Sequence, residues 1–142
     1  MNIPTALTVG VEMTLPLWCL FAAALLHFVT KVPLSMAQAA SGGYDNKNPR
    51  EQQAKLTGWG ARAMAAHQNQ IESFPLFAAG ILVATIAGVD VALAGNIAIV
   101  YLVARVIFTY AYIKDISTFR SMVWIVSYAC SLALLCSPAW SG

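Results

Sequence analysis

The chain has 142 residues, of which 59% are hydrophobic and only 10% are charged, with a formal net charge of +2. Soluble domains carry about 25% charged residues, so this composition excludes an ordinary soluble protein and predicts an integral membrane protein. The small net charge provides no basic surface for nucleic acid, and we expect no nucleic-acid partner. The length is that of a single domain over residues 1–142.

Four segments are long and apolar enough to cross a membrane, which needs about 20 such residues. They are approximately Met13–Val32, Ile71–Val89, Val91–Ile113 and Ser121–Trp140. The first ten residues lack a basic segment, and the apolar run that follows is too long for a cleavable signal, so we expect it to be retained as the first span. The predicted fold class is all-α, an integral membrane four-helix bundle. Very short links make the second, third and fourth spans antiparallel neighbours.

The link between the first two spans, Gln38–Gln53, is polar, and its glycines and Pro49 predict breaks in helix. Basic residues concentrate at the end of the bundle that carries this link, which we call the basic end. They are Lys31, Lys47, Arg50, Lys55, Arg62, Lys114 and Arg120. The link at the opposite end offers only Asp90. The positive-inside rule therefore predicts a cytoplasmic basic end, with both termini outside.

Cysteine and histidine give no clear pattern for a cofactor. Cys19, Cys130 and Cys136 lie in apolar runs without a C-x-x-C motif, so we expect small buried side chains and no metal site. His27 and His67 lie on different spans, as the ligands of a haem would, but no other feature supports haem. We expect His67 to pack or hydrogen-bond between helices.

The stretch His67–Glu72 (H-Q-N-Q-I-E) is polar but leads directly into an apolar span. Unpartnered polar groups near hydrocarbon are costly, so the stretch predicts a site for a ligand or an ion. Counting from Asp90 at about 1.5 Å per residue places Glu72 about 27 Å and Arg105 about 22 Å along their helices. The matching depths predict a salt bridge between them, and a purely structural ion pair is the alternative interpretation.

Further polar residues fall at the next depth towards the basic end. Asn69 and Tyr112 share one layer, and Arg62, seven residues before Asn69, occupies the same face closer to the end. On the third span one stripe contains Tyr101, Arg105, Phe108, Tyr112 and Asp115. Guanidinium, carboxylate, amide and phenol groups together suit a small zwitterionic peptide. The alternatives are an asparagine that joins helices and an arginine that reaches the membrane surface.

The stretch Arg62–Phe77 (R-A-M-A-A-H-Q-N-Q-I-E-S-F-P-L-F) resembles the second-helix signature of the MAPEG family, membrane-associated proteins in eicosanoid and glutathione metabolism. Gly43–Arg50 resembles the corresponding loop of bacterial members, and Ala104–Ser121 resembles the third helix and the following turn. The resemblance covers nearly the whole chain. It implies a homotrimer in a bacterial inner membrane, with glutathione bound between neighbouring subunits near the cytoplasmic face.

The resemblance also implies roles for individual residues. Four match family positions that contact glutathione: Asn69, Glu72, Arg105 and Tyr112. Arg62 matches a basic position before the signature, and we include it among the glutathione-binding residues. Arg120 and Ser121 resemble a pair that is held to stabilise the thiolate, so we assign them the catalytic role. Ala65 and Gln68 stand where other members have basic residues, which leaves fewer arginines than in eukaryotic members.

We therefore expect a glutathione-dependent membrane enzyme of the transferase or peroxidase type, with glutathione as co-substrate. Its second substrate would be an apolar electrophile or a lipid hydroperoxide that enters from the membrane lipids. A non-catalytic lipid-binding or accessory protein is the alternative, since the family has members without glutathione chemistry. A small transporter that uses Glu12 is a third possibility, although Glu12 lies at the end of its span, where it reaches water.

Overall fold

The computed structural model describes residues 12–141, which form five α-helices and one short 3₁₀ turn. The helices are α1 Leu15–Ala40, α2 Pro49–Ala54, α3 Gly58–Ile86, α4 Val91–Ile113 and α5 Ser117–Leu135, and the 3₁₀ turn is Ser137–Ala139. Four of the helices, α1, α3, α4 and α5, are long and apolar enough to span a membrane. The predicted all-α membrane bundle with four spans is confirmed.

The helix bounds differ from the predicted spans mainly at the basic end. Helix α4 has the predicted bounds, whereas α1 continues past Val32 through Pro33 to Ala40. Pro16 lies in the first turn of α1, where its missing N–H has no partner to lose. Helix α3 includes the whole polar stretch before the second span, and α5 ends before the predicted Trp140.

The link between α1 and α3 is more ordered than its composition predicted. Gly42 and Gly43 have φ angles of 107° and 101°, which favour glycine and end α1. Pro49, however, does not break a helix here, because it occupies the first turn of α2. The side-chain amide of Gln52 donates to the backbone carbonyls of Gln38 and Gly43, at 3.1 and 2.6 Å. These contacts fold the link back onto the end of α1.

The other two links are tight turns, as predicted. Asp90 caps α4 by accepting a hydrogen bond from the N–H of Leu93 at 2.8 Å. Between α4 and α5, Asp115 adopts a left-handed conformation with φ of 63°. The antiparallel order places the end of α1, the start of α3, the end of α4 and the start of α5 together. The predicted basic residues therefore lie at one end of the bundle.

Helices α3 and α4 each pack against all three of the other spanning helices. Close approach depends on small residues: a Cβ added at Gly80 would lie 2.9 Å from Cβ of Leu134 on α5. Large apolar side chains face outwards instead, with Phe28 76% and Ile86 86% exposed. Such an exposed apolar surface suits lipid. Cys19 is buried as expected, but the expectation was wrong for Cys136, which is exposed at the end of α5.

Candidate functional site

Arg105 on α4 is a buried charge in the middle of the candidate site. Its side chain is only 1% exposed. Its Nε donates to Oε1 of Gln70 and its Nη2 donates to Oδ1 of Asn69, both at 2.9 Å and both on α3. A charged group at membrane depth needs such partners, because hydrocarbon provides none. The three side chains therefore join α3 to α4, and we call them the Arg105 centre.

The predicted salt bridge between Glu72 and Arg105 is wrong. Glu72 is exposed, and its Oε1 accepts a hydrogen bond from Nε2 of Gln68 at 3.2 Å. Within residues 12–141 the only ion pair joins Lys55 to Glu51. Glu72 and Arg105 have similar depths along their helices, but the direction of each side chain decides its partner. Glu72 is two residues beyond Gln70, which turns it about 200° around the helix axis and away from α4.

Gln70 is the partner that the sequence analysis missed. Its side chain is fully buried and contacts the guanidinium of Arg105. A signal was present in the spacing of the buried residues of α3, which include Ala63, Ala66, Gln70, Phe77, Ile81 and Ala84. Intervals of three, four and seven place these residues on one helix face. An amide on an otherwise apolar face predicts a buried hydrogen-bond partner.

A column of two aromatic rings between two cations runs from the Arg105 centre to the basic end. The guanidinium carbon of Arg105 lies 4.4 Å from the ring centroid of Phe108. Phe108 meets Tyr112 edge to face, with centroids 5.5 Å apart. The guanidinium of Arg120 then lies 4.3 Å from the ring centroid of Tyr112. Each cation–π contact contributes about 0.5–2 kcal/mol. We call these four residues the cation–aromatic column.

Arg120 and Ser121 lie near the start of α5, but their surroundings differ. Arg120 is half-buried over Tyr112, and it forms no ion pair with any carboxylate of residues 12–141. Ser121 is exposed, and its hydroxyl donates to the backbone carbonyl of Ser117 at 3.1 Å. A hydroxyl has one proton to donate. Arg120 is thus available to an anion, whereas Ser121 must break an existing bond to donate to a ligand.

Arg62 binds the end of a neighbouring helix. Its Nε donates to the backbone carbonyl of Ile113, the last residue of α4, at 3.0 Å. The last carbonyls of a helix lack partners within it and carry partial negative charge, so a cation there stabilises the helix end. Nε is the one guanidinium nitrogen of Arg62 with a hydrogen bond inside residues 12–141. Arg62 therefore joins α3 to α4, in addition to any role in binding.

His67 contacts α1, as expected. Its Nδ1 lies 2.9 Å from Oγ1 of Thr30. His27 makes separate contacts, with its ring edge to face against Phe74 at 4.7 Å and its Nδ1 3.1 Å from the carbonyl oxygen of Ala24. The two histidines thus take part in different helix contacts.

Two cavities adjoin Glu72, one on each side of α3. The α3–α5 cavity has a volume of about 130 Å³ and is lined by Asn69, Glu72, Ser73, Leu76, Trp124, Ser127, Tyr128 and Ser131. Within it, the rings of Trp124 and Tyr128 stack 5.2 Å apart. The α1–α3 cavity, of about 520 Å³, lies beneath the link and is lined by Lys31, Leu34, Tyr44, Pro49, Arg50, Gln53, Met64, His67, Gln68, Ile71 and Glu72.

Comparison with known families gives one match. Residues 15–140 match the model of the MAPEG family, which is most of the chain. This chain belongs to the MAPEG family. A comparison with curated proteins and one with solved structures found no match. MAPEG proteins include glutathione-dependent transferases and peroxidases and also non-catalytic members, so membership alone leaves the activity of this member open.

The polar residues of the MAPEG signature on α3 contact different parts of the structure. Asn69 is held by Arg105 of α4 and also lines the α3–α5 cavity, whereas Glu72 lines both cavities. The His67 position faces α1. Three polar residues close in sequence therefore serve three different neighbours, and only Glu72 leaves its charge without an opposite charge from residues 12–141.

Proposed function

We propose that this MAPEG protein is a glutathione-dependent membrane enzyme of the transferase or peroxidase type. It conjugates or reduces apolar electrophiles or lipid hydroperoxides. The observation that carries the proposal is that Arg62, Arg120 and Glu72 are half-buried or exposed and form no ion pair within residues 12–141. Glutathione has two carboxylates, one ammonium group and a thiol, so its charges complement this set.

Each residue of the candidate site has a proposed role. Glu72 binds the ammonium group of glutathione, and Arg62 binds a carboxylate through its terminal nitrogens. Asn69 has its oxygen occupied by Arg105 and donates from its amide nitrogen. The hydroxyl of Tyr112 is a further contact. Arg105 is buried with two bonds to α3, so it acts by positioning Asn69.

Arg120 stabilises the reactive form of glutathione. A thiol with a pKa of about 8.5 is only a few per cent ionised at pH 7. Lowering this pKa by about two units requires about 2.7 kcal/mol of preferential thiolate stabilisation. A guanidinium held over the ring of Tyr112 and without a carboxylate partner in residues 12–141 is suited to supply it. The thiol proton leaves to water, and the thiolate sulfur forms a bond to the electrophilic carbon as the leaving group departs.

The apolar substrate enters beside the glutathione site through the α3–α5 cavity. Trp124 and Tyr128 are 39% and 45% exposed on the outer face of α5, and both line this cavity. Asn69 and Glu72 line the same cavity from α3. An aromatic wall next to polar groups suits a reaction between a lipid-soluble substrate and a peptide thiol.

We further propose that the enzyme is a homotrimer with glutathione bound between subunits. The α3–α5 cavity of about 130 Å³ is smaller than the roughly 300–1,000 Å³ of most small-molecule sites, so a neighbouring subunit would complete it. The positive-inside rule places the basic end in the cytoplasm and the termini outside. The proposed location is a bacterial inner membrane.

A non-catalytic lipid-binding or accessory role is the second candidate. An apolar groove of about 530 Å³ lies between α4 and α5, where Ile97, Val100 and Val126 are among its walls. A lipid chain suits such a groove. The hydrogen bonds from Arg105 to Gln70 and Asn69 also form without any ligand, and a structural role would explain them.

A glutathione titration of the purified protein in mild detergent separates the two functions. Ultraviolet difference spectroscopy measures the thiolate of bound glutathione. The enzyme is expected to show saturable binding and a thiolate band. Wild-type protein with neither signal would exclude the enzyme and favour the accessory role.

A further inference from the structure

We propose that the α1–α3 cavity binds the phosphate headgroup of an anionic membrane lipid, with Lys31 and Arg50 as its cationic ligands. The cavity has a volume of about 520 Å³ and lies between α1, the link that contains α2, and α3. None of the residues of the cation–aromatic column lines this site, and it shares only Glu72 with the proposed glutathione-binding residues.

The charges of the cavity favour an anion. Lys31 and Arg50 line it, and neither forms an ion pair within residues 12–141. Glu72 is the single carboxylate in the lining, and it already accepts a hydrogen bond from Gln68. The phenol of Tyr44 adds a hydrogen-bond donor. Two cations and a hydroxyl suit the oxygens of a phosphate group, which accept several charge-assisted bonds.

The depth of the cavity favours a lipid over a soluble anion. Asp90 marks the end of α3 opposite the basic end. At about 1.5 Å per residue, Ile71 lies about 28 Å and Met64 about 39 Å from Asp90 along the helix. The hydrocarbon core is about 30 Å thick, so the cavity extends from its edge into the headgroup layer. Thr30 contacts His67, which places the adjacent Lys31 at headgroup level. Ile71 is 47% exposed and provides an apolar wall for the start of a lipid chain.

The roof of the cavity is held in place before any ligand binds. Gln38 is fully buried, and its Nε2 donates to the carbonyl of Pro49 and to Oε1 of Gln52, at 3.2 and 3.0 Å. Gln53 donates to Oε1 of Gln38 at 3.2 Å. This amide network fixes α2, and with it Arg50, against the end of α1. Basic pockets between helices at a membrane surface are typical headgroup sites.

Lipid binding to the full chain in neutral detergent tests the proposal, with native mass spectrometry as the readout. Wild-type protein is expected to bind phosphatidylglycerol in preference to phosphatidylcholine. Lys31→Gln and Arg50→Gln are each expected to weaken phosphatidylglycerol binding about fivefold, and the double variant about 25-fold. Lys31→Arg retains most of the binding. Lys47→Gln, a link lysine outside the cavity lining, is the matched control and keeps wild-type binding.

Circular dichroism on every variant confirms that the helices are intact. Equal binding of the two lipids by wild type, or the same loss in Lys47→Gln, would overturn the proposal. Glutathione and inorganic phosphate are tested as soluble anions. If either binds through Lys31 and Arg50 while phosphatidylglycerol shows no preference, the cavity belongs to a soluble anion. If wild-type protein showed no thiolate band with glutathione but still preferred phosphatidylglycerol, the proposed enzyme would be contradicted and the lipid site would remain supported.

Discussion

Arg105 and Arg120 lie at the two ends of one cation–aromatic column, but their surroundings differ. Arg105 is buried and bonded to two amides of α3, whereas Arg120 is half-buried over a ring and forms no ion pair within residues 12–141. Two hydrogen bonds to α3 hold the buried guanidinium of Arg105, although its Nη1 has no partner within residues 12–141, so Arg105 joins two helices. The half-buried guanidinium of Arg120 is available to a ligand. The two arginines are therefore expected to respond oppositely to measurements of stability and of chemistry.

The largest expected effect is on stability, at the Arg105 centre. Arg105→Met leaves the buried amide of Gln70 without its partner and is expected to lower the free energy of unfolding by about 3 kcal/mol. The double variant Arg105→Met with Gln70→Met removes both polar groups and is expected to be more stable than the single one. Thermal unfolding in detergent measures both. Glu72→Gln is the control, and an equal loss there would contradict the assignment of Gln70 as the partner.

Arg120 is expected to affect chemistry with little effect on stability. Arg120→Ala returns the glutathione thiol to its ordinary pKa and lowers the thiolate fraction at neutral pH about 25-fold. Glutathione binding stays within about tenfold, because one lost charge-assisted contact costs about 1.5 kcal/mol. Ultraviolet difference spectra measure both quantities, and Arg120→Lys, which keeps a charge, is the control. If Arg120→Ala unfolded at a temperature as low as Arg105→Met, the expected contrast between the two arginines would be wrong.

The contrast also explains what the sequence could predict. Depth along a helix follows from counting residues, so the similar depths of Glu72 and Arg105 were accessible from sequence, whereas Asn69 was expected in the layer of Tyr112 and instead contacts Arg105. The direction of each side chain depends on which face is buried. Gln70 was missed although its spacing from Ala63 and Ala66 places it with the buried residues.

The bounds of α4 were predicted correctly because Asp90 provides a local capping signal and the apolar run that follows is continuous. The link was harder, because its order depends on contacts between distant residues. Gln38 holds Pro49 and Gln52 from the end of α1, and no local pattern specifies that arrangement. The α1–α3 cavity, formed under this link, was therefore beyond sequence reasoning, although its cations, Lys31 in α1 and Arg50 in the link, were visible in the sequence.

Two variants of Arg62 test whether one arginine contributes both to the stability of the fold and to glutathione binding. Arg62→Lys removes the planar Nε donor to Ile113 but keeps a positive charge. It is expected to lower the free energy of unfolding by about 1 kcal/mol, with the Kd for glutathione nearly unchanged. Arg62→Met loses the charge as well and is expected to raise that Kd about tenfold. Melting curves and glutathione titrations measure the two effects, and equal Kd values for both variants would exclude Arg62 from the binding site.

The smallest expected effect concerns Tyr112, whose ring lies beneath Arg120. Tyr112→Phe keeps the aromatic face, so the guanidinium stays in place and the thiolate fraction of bound glutathione remains close to that of wild type. Tyr112→Leu removes the face, and losing a cation–π contact of about 1 kcal/mol is expected to raise the thiol pKa by about 0.7 unit and so lower that fraction about twofold at pH 7. The thiolate band at saturating glutathione distinguishes the variants. Because the hydroxyl is absent from both, equal losses in Phe and Leu would assign the role to the hydroxyl, and the ring would then have no part in orienting Arg120.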